Sequence, residues 1–107
     1  MEVPEIDFVQ LDERRGNGAV VVDVRQPDEY AEAHVPGALL IPLAEVPDRL
    51  ADIPAGGEVL VICRSGGRSL KACEFLRSTG VDAMNVAGGM LAWLEAGKAV
   101  VRGSEPG

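Results

Sequence analysis

Cys63 is followed by Arg64, Ser65, Gly66, Gly67, Arg68 and Ser69, so a thiol stands directly before two cations, two glycines and two hydroxyls. Such a loop can hold an anion. Adjacent glycines accept the backbone angles that turn successive N–H groups inward as a nest. A helix beginning near Arg68 adds free N–H groups and the positive end of its dipole. Arg64 and Arg68 add full charge, although neighbouring loop positions need not both point inward. These surroundings stabilise a thiolate, lowering a thiol from its ordinary value of about 8.5 and making Cys63 a nucleophile near neutral pH. The chemistry is that of a nucleophilic cysteine in an anion cradle, with a persulfide, a thiosulfonate or a thiophosphate as the groups it could carry. The alternative is a small buried hydrophobe ending a core strand, but a structural turn has no use for that density of cations and donors. Cys73 is expected to be such a buried residue, on the apolar face of the helix about 7 Å along the axis from Arg68. A redox pair between Cys63 and Cys73 is not favoured.

To present a thiol in this way a chain needs a strand that stops at Cys63 and a helix that starts just after it. "EVLVIC" from Glu58 is such a strand, and "AVVVDV" from Ala19, "ALLIPL" from Ala38 and "DAMNVA" from Asp82 are similar apolar runs. They are continuous rather than alternating, as in a parallel sheet buried on both faces. Pro42 should cut the second run short. Helices are expected between them: one from an Asp7 N-cap to Arg15, ending at "GNG"; a short one after Pro27; one around residues 44–50, with Pro47 in its first turn; one over residues 68–78, stopped by Gly80; and a last one over residues 89–96. Alternating strands and helices predict an α/β sandwich on a mostly parallel sheet, with ligands beyond the carboxyl ends of the strands, where Cys63 stands.

Composition narrows what this site can serve. A chain of 107 residues is one domain, long enough to bury about two-thirds of its unfolded surface. Residues 1–102 are expected to form it, with 103–107 as a flexible C-terminal tail. Ten Lys and Arg against 17 Asp and Glu leave a net charge of −7, which disfavours nucleic acid and anionic lipid as partners. The arginines beside Cys63 therefore run against the global sign. "MEVPEID" lacks the basic and apolar regions of a signal peptide, and no apolar run approaches the roughly 18 residues of a membrane span. A cytoplasmic protein with reduced thiols is expected. Two cysteines and one histidine fit neither a disulfide framework nor a usual zinc spacing, so no metal is expected.

Three blocks in order resemble the rhodanese family of sulfurtransferases: "VVVDVRQPDEYAEAHVPGALLIPL" over 20–43, "VICRSGGRS" over 61–69, and "VAGGMLAWLEAG" over 86–97. The resemblance covers nearly the whole chain. It implies a rhodanese-like three-layer α/β sandwich whose central, mostly parallel five-stranded sheet is flanked by helices. It also implies that Cys63 takes the outer sulfur of a donor such as thiosulfate, holds it as a persulfide and passes it to cyanide or a thiol. The backbone N–H groups from Arg64 to Ser69, through Ser65, Gly66, Gly67 and Arg68, would form the cradle, and Ser69 could donate to the sulfur. Asp23, Arg25 and His34 are expected to be structural groups near the site, and Trp93 to pack the last helix.

The partners implied are a small anionic sulfur donor (thiosulfate or a persulfide) and a thiol or cyanide acceptor, a thioredoxin-like protein among them; no cofactor is called for, and a monomer is the default. Two rivals differ in chemistry. A cysteine phosphatase loop places five residues between Cys and Arg; here only four, 64–67, precede Arg68, and Ser69 holds the phosphatase position. A rhodanese module serving only as a regulatory or protein-binding domain typically lacks the cysteine that this chain retains.

Overall fold

A computed structural model describes residues 2–107, as five strands and four α-helices. In chain order these are β1 (Glu5–Ile6), α1 (Phe8–Gly16), β2 (Val20–Asp23), α2 (Pro27–Glu32), β3 (Leu39–Leu40), a 3₁₀ segment (Leu43–Asp52), β4 (Glu58–Ile62), α3 (Gly67–Ser78), β5 (Asp82–Val86) and α4 (Gly89–Glu95). The strands form one sheet in the order β1-β5-β4-β2-β3, and every pairing is parallel. No helix among the described residues is long and apolar enough to cross a membrane.

The period-two alternation of strand side chains divides the core into two layers. Val59, Val61 and Cys63 join Ala72, Cys73 and Leu76 of α3 and Val46 of the 3₁₀ segment on one face. Leu60 and Ile62 join Leu11 of α1, Tyr30 of α2 and Met90 and Trp93 of α4 on the other. The sheet is thus covered on both sides, the condition under which its continuous apolar strands are stable.

Local chemistry explains most element ends. Asp7 caps α1 in a reciprocal box, its carboxylate accepting from the Gln10 N–H at 2.9 Å while Gln10 Oε1 accepts from the Asp7 N–H at 3.1 Å. Pro27 opens α2. Pro42 confines β3 to two residues and leads into the 3₁₀ segment. The helix expected over 44–50 is 3₁₀ rather than α because Pro47 has no N–H for an i to i−4 bond, and the backbone departs from helical angles at Arg49. β1, absent from the apolar runs, is only two residues long and exists through its pairing with β5.

Residues 103–107, expected to form a flexible tail, carry backbone hydrogen bonds to the body. The Gly103 N–H donates to Ala31 O at 2.7 Å and the Gly37 N–H donates to Pro106 O at 2.8 Å. Just before them, Val101 and His34 exchange backbone hydrogen bonds at 2.9 Å in an isolated antiparallel bridge.

Candidate active site

The chain leaves β2 for β3 on one side of the sheet, and leaves β4 for β5 on the other. The carboxyl ends of β2 and β4 therefore flank a topological switch point, the place where open α/β sheets leave a crevice. Cys63 follows β4 there, and Val24 and Arg25 follow β2, with the Val24 N–H donating to Ile62 O at 3.0 Å.

The loop after Cys63 closes on the sulfur. Gly66 takes φ +117°, a left-handed conformation that L side chains rarely adopt, and serves as N-cap of α3. In that conformation its N–H points to Cys63 Sγ at 3.0 Å. Ser69, on the first turn of α3, brings its Oγ to 3.3 Å from the same sulfur. Cys63 is 1% exposed. Burial pushes its thiol up, but the Ser69 hydroxyl and the backbone N–H groups of Ser69, Gly66 and Ser65 outweigh that and hold it below its ordinary value. On the same helix face Cys73 has no such donors, and burial pushes its thiol up to about 12.

The loop is also held from outside. The Met90 N–H donates to Cys63 O at 2.9 Å and the Leu91 N–H to Arg64 O at 3.1 Å, so the first turn of α4 takes up both carbonyls and leaves the loop N–H groups free to face the sulfur. Gly89, at φ +51°, permits this approach: a Cβ there would lie inside contact distance of both carbonyls.

The two loop arginines have different situations. Arg68 forms a bidentate pair with Glu29 of α2, at 2.7 and 3.0 Å, and its guanidinium holds the Glu29 carboxyl down at about 2. Its charge is largely answered by the chain itself. Arg64 is exposed and has no carboxylate within ion-pair distance among the described residues. It lines a groove of about 400 Å³ with Arg25, Glu29, Leu91, Leu94 and Arg102. A larger hollow of about 560 Å³ lies at the opposite end of the strands, near Gly18 and Glu58, and is lined by no nucleophile.

Asp23, Arg25 and His34 make no hydrogen bond to the sulfur. Arg25 donates from Nε and Nη2 to the Asp23 carboxylate at 2.7–3.1 Å and from Nη2 to Ala33 O at 2.8 Å, a buried pair joining the end of β2 to the end of α2. His34 is fully buried and stacks on Tyr30 with centroids 3.6 Å apart; its Nδ1 lies 2.8 Å from Tyr30 O. Trp93 is buried in the core layer beneath α4, its Nε1 donating to Ala99 O at 2.9 Å.

One polar residue beside the sulfur's partner Ser69, and the carboxylate that holds it, escape a reading of the loop alone. Asn85 of β5, 1% exposed, accepts from the Ser69 hydroxyl at 2.5 Å and donates from Nδ2 to Glu5 Oε2 at 3.0 Å and to Gly66 O at 3.3 Å. In register Asn85 is opposite Val61 of β4 and Glu5 of β1, so all three project to the face that carries Cys63. The available signal was an Asn inside an apolar strand, which must find partners when buried.

A family model described as Rhodanese-like domain matches residues 7–96. A sulfurtransferase from Allochromatium vinosum is 37% identical over 102 residues, covering 92% of this chain and 95% of its own. The thiosulfate sulfurtransferase PspE of Escherichia coli is 41% identical over 71 residues, 64% of this chain and 68% of its own. Among solved structures, a rhodanese-related protein from Thermoplasma volcanium superimposes with a TM-score of 0.86 at 32% identity, covering 92% of this chain and 97% of that one.

Proposed function

The chain belongs to the rhodanese-like domain family, and from that premise we propose that it is a sulfurtransferase that carries sulfane sulfur on Cys63. The observation that carries this reading is the sulfur itself: a recessed thiol held below its ordinary pKa by a hydroxyl and by loop N–H groups.

In the first half-reaction the Cys63 thiolate attacks the outer sulfur of a donor such as thiosulfate. A bond forms from Sγ to that sulfur, the donor's S–S bond breaks, and sulfite leaves with the electron pair. The loop N–H groups face the persulfide and stabilise its terminal charge. In the second half-reaction an acceptor thiolate, or cyanide, attacks the terminal sulfur. The Sγ–S bond breaks, the pair returns to Sγ, and the acceptor leaves as a persulfide or thiocyanate. No general base is required when Cys63 enters as thiolate.

Arg64, the loop cation without an internal partner, is the group that draws a dianionic donor; Arg68 fixes α3 to α2 through Glu29. Because Cys63 is recessed, an acceptor must reach it with a slender group while its body rests outside. The groove beside the loop suits an acceptor of mixed character: Arg64 and Arg102 offer charge, and Leu91 and Leu94, at 44% and 46% exposure, offer apolar surface. The two free thiols suit a reducing compartment such as the cytoplasm.

Incubation with thiosulfate followed by intact mass measurement tests the reading. One added sulfur atom, removed by cyanide and absent in Cys63→Ser, is expected. An unchanged mass after incubation with thiosulfate and with a low-molecular-weight persulfide overturns it, as does hydrolysis of para-nitrophenyl phosphate that depends on Cys63.

A further inference from the structure

We propose that Asn85 is a positioning residue that makes the Ser69 hydroxyl a two-position switch, donating to Asn85 while the Cys63 sulfur is neutral and to the sulfur when it is charged. Asn85 Nδ2 faces the Glu5 carboxylate at 3.0 Å and Gly66 O at 3.3 Å. Both are acceptors, so the amide cannot be turned round. The atom it presents to Ser69 is therefore Oδ1, also an acceptor, and at 2.5 Å from Oγ it takes the hydroxyl proton.

A serine has one such proton. With it on Asn85, Ser69 shows only lone pairs to Cys63 Sγ at 3.3 Å, and a neutral thiol completes a chain of bonds by donating to Oγ. A thiolate has nothing to donate. Ser69 must then turn its proton to the sulfur, and Asn85 Oδ1 is left without it in a site where Asn85, Ser69 and Cys63 are each at most 1% exposed. Leaving a buried acceptor unpaired is unfavourable, so Asn85 opposes the ionisation that Ser69 promotes.

This role rests on the sulfurtransferase reading for its use. Sγ is anionic before it attacks the donor and again as it is released by the acceptor, and neutral while the second sulfur is bonded to it. A hydroxyl that follows this charge favours both departures from the resting states without holding either intermediate too tightly.

Other titratable and charged groups around this hydrogen-bonded chain come from several elements. Arg68 of α3 is paired with Glu29 of α2, Asp23 with Arg25 after β2, and Arg64 stands free on the loop. Cys73 of α3 and Glu5 of β1 complete the set. None of them donates a hydrogen bond to Sγ among the described residues. The loop does not depend on Asn85 for its shape, since Gly66 O also accepts from the Leu70 N–H at 3.1 Å and α4 holds the carbonyls of Cys63 and Arg64.

The test is the pH dependence of Cys63 alkylation by iodoacetamide, read by peptide mass, in wild type, Asn85→Leu, Ser69→Ala and the double variant. It needs no sulfur donor, so its outcome is separate from that of the persulfide experiment. Asn85→Leu is expected to lower the apparent pKa of Cys63 by about one unit, a tenfold gain in thiolate fraction at low pH. Ser69→Ala is expected to raise it, and Asn85→Leu to add nothing in the Ser69→Ala background. A structural role alone would loosen the loop, raising the pKa with or without Ser69; either of those results overturns the proposal. Asn85→Ala, which leaves space rather than a clash, is read in the same way should the leucine variant not fold.

Discussion

At Cys63 burial and hydrogen bonding pull the thiol in opposite directions, and the balance rests on very few atoms. Burial favours the neutral form; the Ser69 hydroxyl and the N–H groups of Ser69, Gly66 and Ser65 favour the thiolate and prevail. With the folded pKa lowered, thiolate is present above that pKa and is lost as pH falls through it. Alkylation of Cys63 should therefore persist below the range of an ordinary thiol, whereas Cys73, pushed up to about 12, should stay unmodified in the folded protein. Removing the hydroxyl with Ser69→Ala should shift the Cys63 profile upward by about one unit, slowing alkylation and sulfur transfer several-fold at neutral pH. A pH series of alkylation rates, beside turnover with thiosulfate, checks both statements.

Elements hold these atoms in place through two contacts outside the loop. Where α4 begins, Gly89 lets the Met90 and Leu91 N–H groups reach the carbonyls of Cys63 and Arg64. Gly89→Ala would force a Cβ against those backbone atoms at a positive φ, so the turn must retreat. A loss of about 2–3 kcal/mol in stability is expected, with a rise in the Cys63 pKa, both measured on the same variant by urea unfolding and alkylation. The second contact is the Glu29–Arg68 pair joining α2 to α3. Glu29 titrates at about 2 when folded, against 4.5 for the free side chain. The pair's stabilisation is full above the unfolded value and is lost as pH falls toward about 2. Glu29→Gln should remove that part of the acid sensitivity, on the order of 1 kcal/mol because both side chains are partly solvated. Unfolding curves at several pH values between those limits compare the two proteins. The variant also frees Arg68, so tighter thiosulfate binding is expected.

Over the whole molecule, a net charge of −7 coexists with a groove beside the loop where three arginines meet two glutamates. Seven of the ten Lys and Arg residues pair with carboxylates, leaving Arg64, Lys71 and Arg102 without one among the described residues. Two of those three, Arg64 and Arg102, line the groove beside the loop. Arg102 also begins the segment that docks beside α2, where the backbones of Gly103 and Pro106 bond to Ala31 and Gly37. We propose that this segment is an ordered part of the domain. Slow hydrogen exchange at the Gly37 and Gly103 amides is expected. Deleting residues 102–107 should cost about 1–2 kcal/mol in unfolding free energy and leave persulfide formation on Cys63 intact. Fast exchange at both amides would show a free tail.

The cysteine at the end of β4, its loop, the alternation of strands and helices and the cap at Asp7 were legible in the sequence, because each depends on residues close together along the chain. Cys63 and Ser69 are six apart, and Asp7 and Gln10 three apart. What depends on parallel register and helix packing was not legible: Asn85 and Glu5 lie 16 and 80 positions from their respective partners Ser69 and Asn85, Glu29 lies 39 from Arg68, and β1 is too short to announce itself without β5. Local spacing determined that a cysteine sulfur would stand beside loop N–H donors. Only the order and register of the sheet decided which distant side chains share its hydroxyl, and which of the two loop arginines keeps its charge free, since those contacts arise between strands and helices that meet only when the chain is folded.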